Sequence, residues 1–366
     1  MDKFFKNKKV LITGHTGFKG TWMSTWLLEM GAEVHGISKD IPTSPSMFDE
    51  LGLAAKMSHT IGDVRDLELV IDLVNRIQPD YLFHLAAQPI VSLSYLNPIE
   101  TITSNVLGTA NILEALRITN HDCVALIITS DKCYDNVEWV WGYKETDQIG
   151  GKDIYSGSKG GAELIFKAYY HSFFSKDISN IRIASARAGN VIGGGDWAKD
   201  RVIPDCMRAW ACDIAVEIRC PTATRPWQHV LEPISGYLNL AAELKQRAEL
   251  NGESFNFGPN SNDNYSVEKL IRDLSRTWEI SESDNLVNIT GSLQFHEASL
   301  LKLNCDKALH HLKWNANLVY DELLEYTGLW YYNFYKNNAD MYEFTRSQIS
   351  DFIKIAKRKG LNWTKL

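Results

Sequence analysis

Apolar and polar positions alternate along the first half of the chain between two periods. Val10 to Thr13 is a short apolar run ending in glycine, and it predicts a buried parallel strand. Helical spacing follows from about Thr21 to Met30, with Gly31 where a helix stop belongs. Glu33 to Ile37 predicts a second strand, and a third is expected just before Gly62-Asp63-Val64. Leu67 to Ile77 reads as helix, Tyr81 to Ala86 as strand and Ile99 to Ile118 as one long helix. Val124 to Thr129 and Ile181 to Ala186 read as strands flanking a helix from Tyr155 to Phe174. Repeated strand–helix units of this kind specify an α/β fold with a doubly wound parallel sheet.

After Gly195 the pattern loosens. Helices near Pro204 to Cys212, Ile234 to Leu250, Tyr265 to Trp278 and Leu318 to Tyr335 mix with short strands near Val216 to Arg219 and Ser254 to Phe257. The predicted organisation is a Rossmann-like dinucleotide-binding domain over 1–190 and a smaller C-terminal substrate-binding lobe over 191–366. Some strands and helices of the second part return to the first. A ligand cleft is expected between them.

Composition narrows the function classes. The 366 residues carry a formal charge of −7 and no basic tract, which argues against nucleic acid or an anionic membrane as partner. The six cysteines are scattered without C-x-x-C pairs or zinc spacing, so reduced thiols and no metal site are expected. No apolar run reaches the roughly 18 residues needed to span a bilayer. The polar start MDKFFKNKK leads straight into a strand, and a cytoplasmic location is expected.

Gly14-His15-Thr16-Gly17-Phe18-Lys19-Gly20 follows the first strand and opens the first helix. Glycines there allow a tight turn and close approach of a pyrophosphate to free helix N–H groups. The second strand lacks the usual terminal acid. Ser38 can bind a ribose hydroxyl, Asp40 can reach it from a shifted loop, and Lys39 can instead favour the extra phosphate of NADP. Asp63 is placed either to accept from an adenine amine or to sit solvated in its loop.

Tyr155 and Lys159 lie one helical turn apart and share a face. An ammonium beside a phenol is expected to lower the phenol's pKa, making Tyr155 a base for a hydroxyl while hydride leaves the same carbon. Ser130 follows a strand end, where side chains face the crevice of a parallel sheet. Asp131 and Lys132 are surplus to a simple dehydrogenase. Side by side they suit an elimination, as acid and base. The competing reading is an exposed ion pair. His84 is expected to be a satisfied core histidine and Cys133 a buried small hydrophobe. Trp139 and Trp141 either cap the site or pack on the sheet edge. The stretch around Trp314 and Trp330 is expected in the core.

GHTGFKG, Leu85 to Gln88, TSDKCYDN, YSGSK and RAGNVIGGGD together resemble the extended short-chain dehydrogenase/reductases that act on nucleotide sugars. The Ser130-Asp131-Lys132 triplet resembles the acid/base triplet of their 4,6-dehydratases, most of which carry Glu in the third place. Lys there, with EWVWGY at 138–143 and RPWQHVLEP at 225–233, resembles the CDP-glucose-specific members. The resemblance implies NAD as cofactor, CDP-glucose as substrate, and Ser130, Asp131, Lys132, Tyr155 and Lys159 as catalytic residues. It implies a cofactor site built from Gly14, Thr16, Gly17, Phe18, Gly20, Ser38, Asp63, Val64, Leu85, Ala86, Ala87, Asn105, Thr129, Tyr155 and Lys159. It implies substrate contacts from Gln88, Asn190, Arg201, Arg225 and His296, with Glu297 nearby. It also implies a homodimer through the helices at 99–118 and 155–174, and a place in the synthesis of deoxysugars of bacterial surface polysaccharide such as lipopolysaccharide O-antigen. The alternatives are another nucleotide-sugar dehydratase, a 4-epimerase or a decarboxylase, neither of the last two needing Asp131 and Lys132. A non-catalytic dinucleotide-sensing regulator is disfavoured by the intact Tyr155/Lys159 pair.

Overall fold

A computed structural model describes residues 1–175, 179–218, 220–260, 263–280, 287–289 and 300–365. Seven parallel strands form the central sheet: β1 (Lys9–Thr13), β2 (Glu33–Ser38), β3 (Ser58–Ile61), β4 (Tyr81–His84), β5 (Val124–Ile128), β6 (Arg182–Ala188) and β7 (Ser254–Phe257), in the order β7-β6-β5-β4-β1-β2-β3. Chain direction reverses its march across the sheet between β1 and β4, which is where ligands bind in such sheets.

The period of two in each strand sorts its side chains into two cores. Val10 and Ile12 join Trp22, Trp26 and Leu27 on one side of the sheet. Leu11 points the other way and joins Leu82, Ala125, Ile127 and Ile183. Helices cover both faces: α1 (Phe18–Glu29), α2 (Leu67–Ile77), α3 (Gly108–Thr119) and α4 (Ile154–Tyr169). In α2 the buried positions Val70, Leu73, Val74 and Ile77 follow helical spacing, and the Asp66 carboxylate caps the first turn by accepting from the Leu69 N–H. Asp153 caps α4 in the same way, accepting from Ser156 N–H at 2.9 Å and fixing where Tyr155 begins its face.

Both long predicted helices change pitch. The stretch read as one helix over 99–118 is Pro98–Ile102, a π-turn at Thr103–Leu107, then α3. The stretch over 155–174 is α4 followed by a π-turn at Tyr170–Phe174. The strand expected to run to Ala86 stops at His84, because the chain there turns away to meet Gly14.

The C-terminal half contributes to the same sheet. β7 pairs with β6, and α5 (Leu231–Gln246) packs under β5 and β6. The smaller features are three two-stranded pairs: Val191–Ile192 with Gln228–His229, Thr224–Arg225 with Tyr265–Ser266, and Val216–Ile218 with Val287–Ile289. Then come α6 (Tyr320–Tyr335) and α7 (Met341–Arg358). The sequence pattern predicts no helix at α7. It packs on α1, with the Phe352 ring edge-on to Trp26 at 5.7 Å and Arg346 paired to Glu29. Trp314 and Trp330 are buried in the core, as expected from the sequence. Among the described residues no helix is long and apolar enough to cross a membrane.

Candidate active site

The carboxyl ends of β1, β2, β4, β5 and β6 open onto one cavity of about 1440 Å³. Its walls bring together Gly14, Thr16, Gly17, Phe18, Gly20, Ser38, Asp63, Val64, Leu85, Ala86, Ala87 and Thr129 with Ser130, Asp131, Lys132, Tyr155 and Lys159. Gln88, Asn190, Arg201 and Arg225 line it too. Asn105 does not. His296 and Glu297 lie outside the described residues, as does Arg219.

The glycine-rich turn is built for close approach. Gly14 has φ +76°, and a Cβ there would sit 2.7 Å from the Ala86 nitrogen. A Cβ on Gly20 would sit 2.2 Å from the Gly14 carbonyl oxygen, so α1 packs directly on the turn. Gly17 is the N-cap of α1 and has no side chain to cap it. The first-turn N–H groups are therefore left for an anion.

Around this turn several candidate residues are occupied with one another. The Ser38 hydroxyl accepts from Thr16 N–H at 3.2 Å and is 3.0 Å from His15 Nδ1, while His15 Nε2 meets His59 at 2.6 Å. Thr16 Oγ1 donates to the Asp40 carbonyl. Lys39 is paired with Glu100 at 2.6 Å. Arg65 grips the Asp63 carboxylate through Nε and Nη2 and thereby holds its pKa below the usual carboxylate range. The Asn105 amide accepts from Gln88 N–H and donates to Ser158 Oγ at 2.8 Å, tying the loop after β4 to α4 from beneath. The Gln88 side chain folds back on Ile90 and Thr101.

Ser130, Asp131 and Lys132 start a single 3₁₀ turn directly after β5. Ser130 Oγ donates to Asp131 Oδ1 at 2.8 Å. Asp131 is buried, and that burial pushes its carboxyl up, against the opposing charges of Lys132, Lys19 and Arg225 and the Ser130 hydrogen bond. An exposed Asp131–Lys132 ion pair is thus not what forms. Tyr155 and Lys159 are buried on one face of α4. The expected lowering of the phenol does not occur: burial and the Asp131 carboxyl push Tyr155 up to about 12, against the Ser130 hydroxyl and Arg201. Lys159 Nζ stands 6.0 Å from the Tyr155 ring centroid, and burial lowers the amine itself to about 8. Arg201 is paired with Asp196 at 2.7 Å, and Arg225 Nη1 donates to the Thr224 carbonyl.

Residues set aside from chemistry lie where that reading puts them. His84 is buried between Thr13 Oγ1 (2.7 Å) and Thr109 Oγ1 (3.2 Å), and burial drops its pKa to about 3. Cys133 is buried with Tyr134 and Tyr143. Trp139 and Trp141 do neither of the two things expected of them: both are exposed, outside the cavity wall, and Trp139 leans on Tyr143 at 5.2 Å.

Two features escape a reading of the sequence. Below the site, Arg187 Nη2 donates to Glu163 Oε2 at 2.7 Å with both side chains fully buried. The same guanidinium donates to the Tyr134 hydroxyl, which donates to Asn256 Oδ1. The signal for Glu163 is its spacing, one further turn along the Tyr155–Lys159 face. The second feature is Lys19, a cation in the glycine-rich turn that also lines the cavity.

Residues 11–327 match the model of the GDP-mannose 4,6 dehydratase family. The chain belongs to that family. It is 44% identical over 358 residues to CDP-glucose 4,6-dehydratase of Salmonella typhimurium, covering 97% of this chain and 99% of the relative. It is 26% identical to CDP-paratose 2-epimerase of Salmonella typhi, over 72% of this chain and 82% of that protein. Among solved structures, dTDP-glucose 4,6-dehydratase of Bacillus anthracis in complex with NAD superposes with TM-score 0.73 at 17% identity, covering 89% of this chain and 96% of that one. An epimerase of Methanothermobacter thermautotrophicus gives TM-score 0.77 at 22% identity, covering 94% and 96%. These likenesses place the fold among the nucleotide-sugar dehydratases and epimerases, as the resemblance in the motifs implies.

Proposed function

We propose that this chain is an NAD-dependent hydro-lyase that converts CDP-D-glucose to CDP-4-dehydro-6-deoxy-D-glucose. The observation that carries the proposal is the buried Asp131 carboxyl, bonded to Ser130 and opening on the same cavity as Lys132, Tyr155 and Lys159. An epimerase has no use for that acid. The CDP-glucose specificity rests on the 44% identical relative.

The donors around the turn fit the cofactor: Gly14 and Gly20 admit no side chain, and the uncapped first turn of α1 suits a pyrophosphate. When bound there, NAD⁺ supplies the hydride acceptor for C4, the donor that returns hydride at C6, and a positive charge in the cavity. Tyr155, in the phenolate form that Ser130 and Arg201 favour against burial, takes the proton of the C4 hydroxyl, and Ser130 hydrogen-bonds the same oxygen. Lys159 holds the nicotinamide ribose. The C4 ketone acidifies C5; Lys132 in its neutral form removes that proton, protonated Asp131 gives its own to the oxygen leaving C6, and the resulting Lys132 ammonium gives a proton back to C5 when C6 is reduced. Burial already favours the protonated Asp131 this step requires. Asn190, Arg201, Arg225, Gln88 and His296 are the proposed substrate contacts, with Arg225 suited to the diphosphate.

The remaining parts of the reading are proposals of the same standing. The chain divides at about 190 into cofactor and substrate parts. It acts in the cytoplasm, supplying deoxysugars for surface polysaccharide such as O-antigen. It works as a homodimer, which the exposed Ile99, Leu107, Ile118 and Leu164 on the two helical segments support.

The test is product formation from CDP-glucose, with dTDP-, UDP- and GDP-sugars in parallel, read as the alkali-induced absorbance of a 4-keto-6-deoxy sugar. Signal from CDP-glucose alone is expected. Signal only from another nucleotide overturns the specificity. A product still hydroxylated at C6 overturns the dehydratase.

A further inference from the structure

The end of the second strand is where a dinucleotide-binding sheet discriminates NAD from NADP, because the adenosine ribose lies there. An acid at that strand end takes the ribose hydroxyls and repels a 2′-phosphate, whereas an arginine or lysine nearby accommodates one. This chain has no acid at the end of β2. Ser38 is followed by Lys39, and both line the cavity. By these two residues alone the site suits NADP.

The fold supplies the missing acid from another element. Glu100 lies on the short helix Pro98–Ile102 in the connection after β4, and β4 is on the far side of β1 from β2. Glu100 lines the same cavity, and its Oε1 meets Lys39 Nζ at 2.6 Å. The next cation at this edge is matched in the same way: Arg65 Nη2 meets Asp63 Oδ2 at 2.6 Å. Hydrogen bonds from Lys39 and Arg65 hold the Glu100 and Asp63 carboxyls below the usual carboxylate range, and each carboxyl also feels the charge of the other cation. These four charges cancel, and Asp40, next in the loop, adds a third carboxylate to the cavity wall. The Ser38 hydroxyl is occupied as well, accepting from Thr16 N–H at 3.2 Å and standing 3.0 Å from His15 Nδ1.

A 2′-phosphate carries about −1.5 to −2 at neutral pH. Brought to this edge it meets cations already matched and a surplus of acid, whereas a ribose 2′-hydroxyl has no charge to be repelled. Resting on the NAD reading above, we infer that Glu100 is the specificity-determining residue that disfavours NADP, by matching the Lys39 ammonium across the crevice. The side chains of the pair are 51% and 39% exposed, so the contact adds little to stability and its removal acts through charge.

The experiment titrates NAD⁺ and NADP⁺ by calorimetry, without substrate, into wild type, Glu100→Gln, Lys39→Met and the double variant. Glu100→Ala replaces the glutamine variant if that one folds poorly. Wild type is expected to prefer NAD⁺. Glu100→Gln is expected to tighten NADP⁺ about 5- to 30-fold while NAD⁺ stays within about threefold. The gain shrinks as salt rises, which a merely structural change would not do. It disappears in the double variant, because Lys39 is the cation set free. An unchanged NADP⁺ affinity in the folded Glu100 variant overturns the inference, as does a gain that survives loss of Lys39. So does a loss of NAD⁺ affinity beyond about tenfold in Glu100→Gln, which makes Glu100 a direct ligand of the ribose. Wild type that binds NADP⁺ as tightly as NAD⁺ overturns it too. None of these readings needs CDP-glucose, so failure of the substrate assignment leaves the test standing. Wild type that binds neither nucleotide removes the cofactor reading, and this inference with it.

Discussion

Asp131 and Glu163 are both buried carboxyl groups near the end of β5, yet they are held in opposite states. For Glu163, burial alone would raise the pKa, but the Arg187 ion pair and the hydroxyls of Thr129 and Ser185 outweigh it and keep the group ionised. For Asp131, the Ser130 hydroxyl and the charges of Lys132, Lys19 and Arg225 do not outweigh burial, and the pKa rises. The difference is in hydrogen-bonded partners, not depth. A satisfied anion braces α4 against β6, whereas an unsatisfied acid is ready to give up a proton. Two carboxyl groups gain separate tasks from their surroundings alone.

Breaking the satisfied one has the largest expected consequence for the fold. Arg187→Met leaves Glu163 buried without its cation and is expected to cost about 3–5 kcal/mol in urea unfolding. Asp131→Asn is its opposite: product formation is expected to fall by about 10²- to 10⁴-fold while the unfolding midpoint stays or rises. An Asp131→Asn protein as unstable as Arg187→Met would erase the contrast. Lys132→Ala sharpens the acid side of the comparison by removing the base proposed to act in the same step. It is expected to block C5 proton loss, read as solvent-deuterium exchange, more than C4 oxidation.

The smallest effect is in the pH dependence of stability. The Glu163 pKa lies below its unfolded value, so its contribution is present above the unfolded carboxylate range and lost as pH falls through the folded pKa. The Asp131 pKa lies above its unfolded value, so its contribution is present below the unfolded pKa and lost as pH rises through the folded one. Asp131→Asn should therefore gain on wild type as pH rises from about 4 toward neutral, by at most about 1.4 kcal/mol for each pH unit between the unfolded and folded values. Glu163→Gln should instead lack the acid-side loss. Denaturation midpoints at several pH values decide both.

Much of this is legible in the residues because it depends on local pattern. Short apolar runs ending in Gly14, Ser38, Leu85 and Thr129 mark strand ends, and strand ends mark the crevice. TSDK and YSGSK fall on it by pattern alone. What is hidden depends on contacts across the fold. The π-turns at Thr103–Leu107 and Tyr170–Phe174 add a residue to a turn without altering composition. In α7 the buried face includes Thr345 and Gln348 beside Met341, Ile349, Phe352 and Ala356, so its apolar stripe is broken in sequence. The direction of the Tyr155 shift runs against the sequence expectation because burial and Asp131, neither visible locally, outweigh a lysine one turn away. Glu163 lies on α4 and Arg187 on β6, and the fold brings these two separated residues together under the same site.

The most direct test of the central claim is turnover of CDP-glucose in D₂O with NAD⁺, comparing wild type and Asp131→Asn by NMR of the sugar product. The account predicts a 4-keto-6-deoxy product carrying a solvent deuteron at C5 from wild type, and almost none from Asp131→Asn. A wild-type product that keeps its C6 hydroxyl, or an Asp131→Asn variant that dehydrates at the wild-type rate, would contradict it.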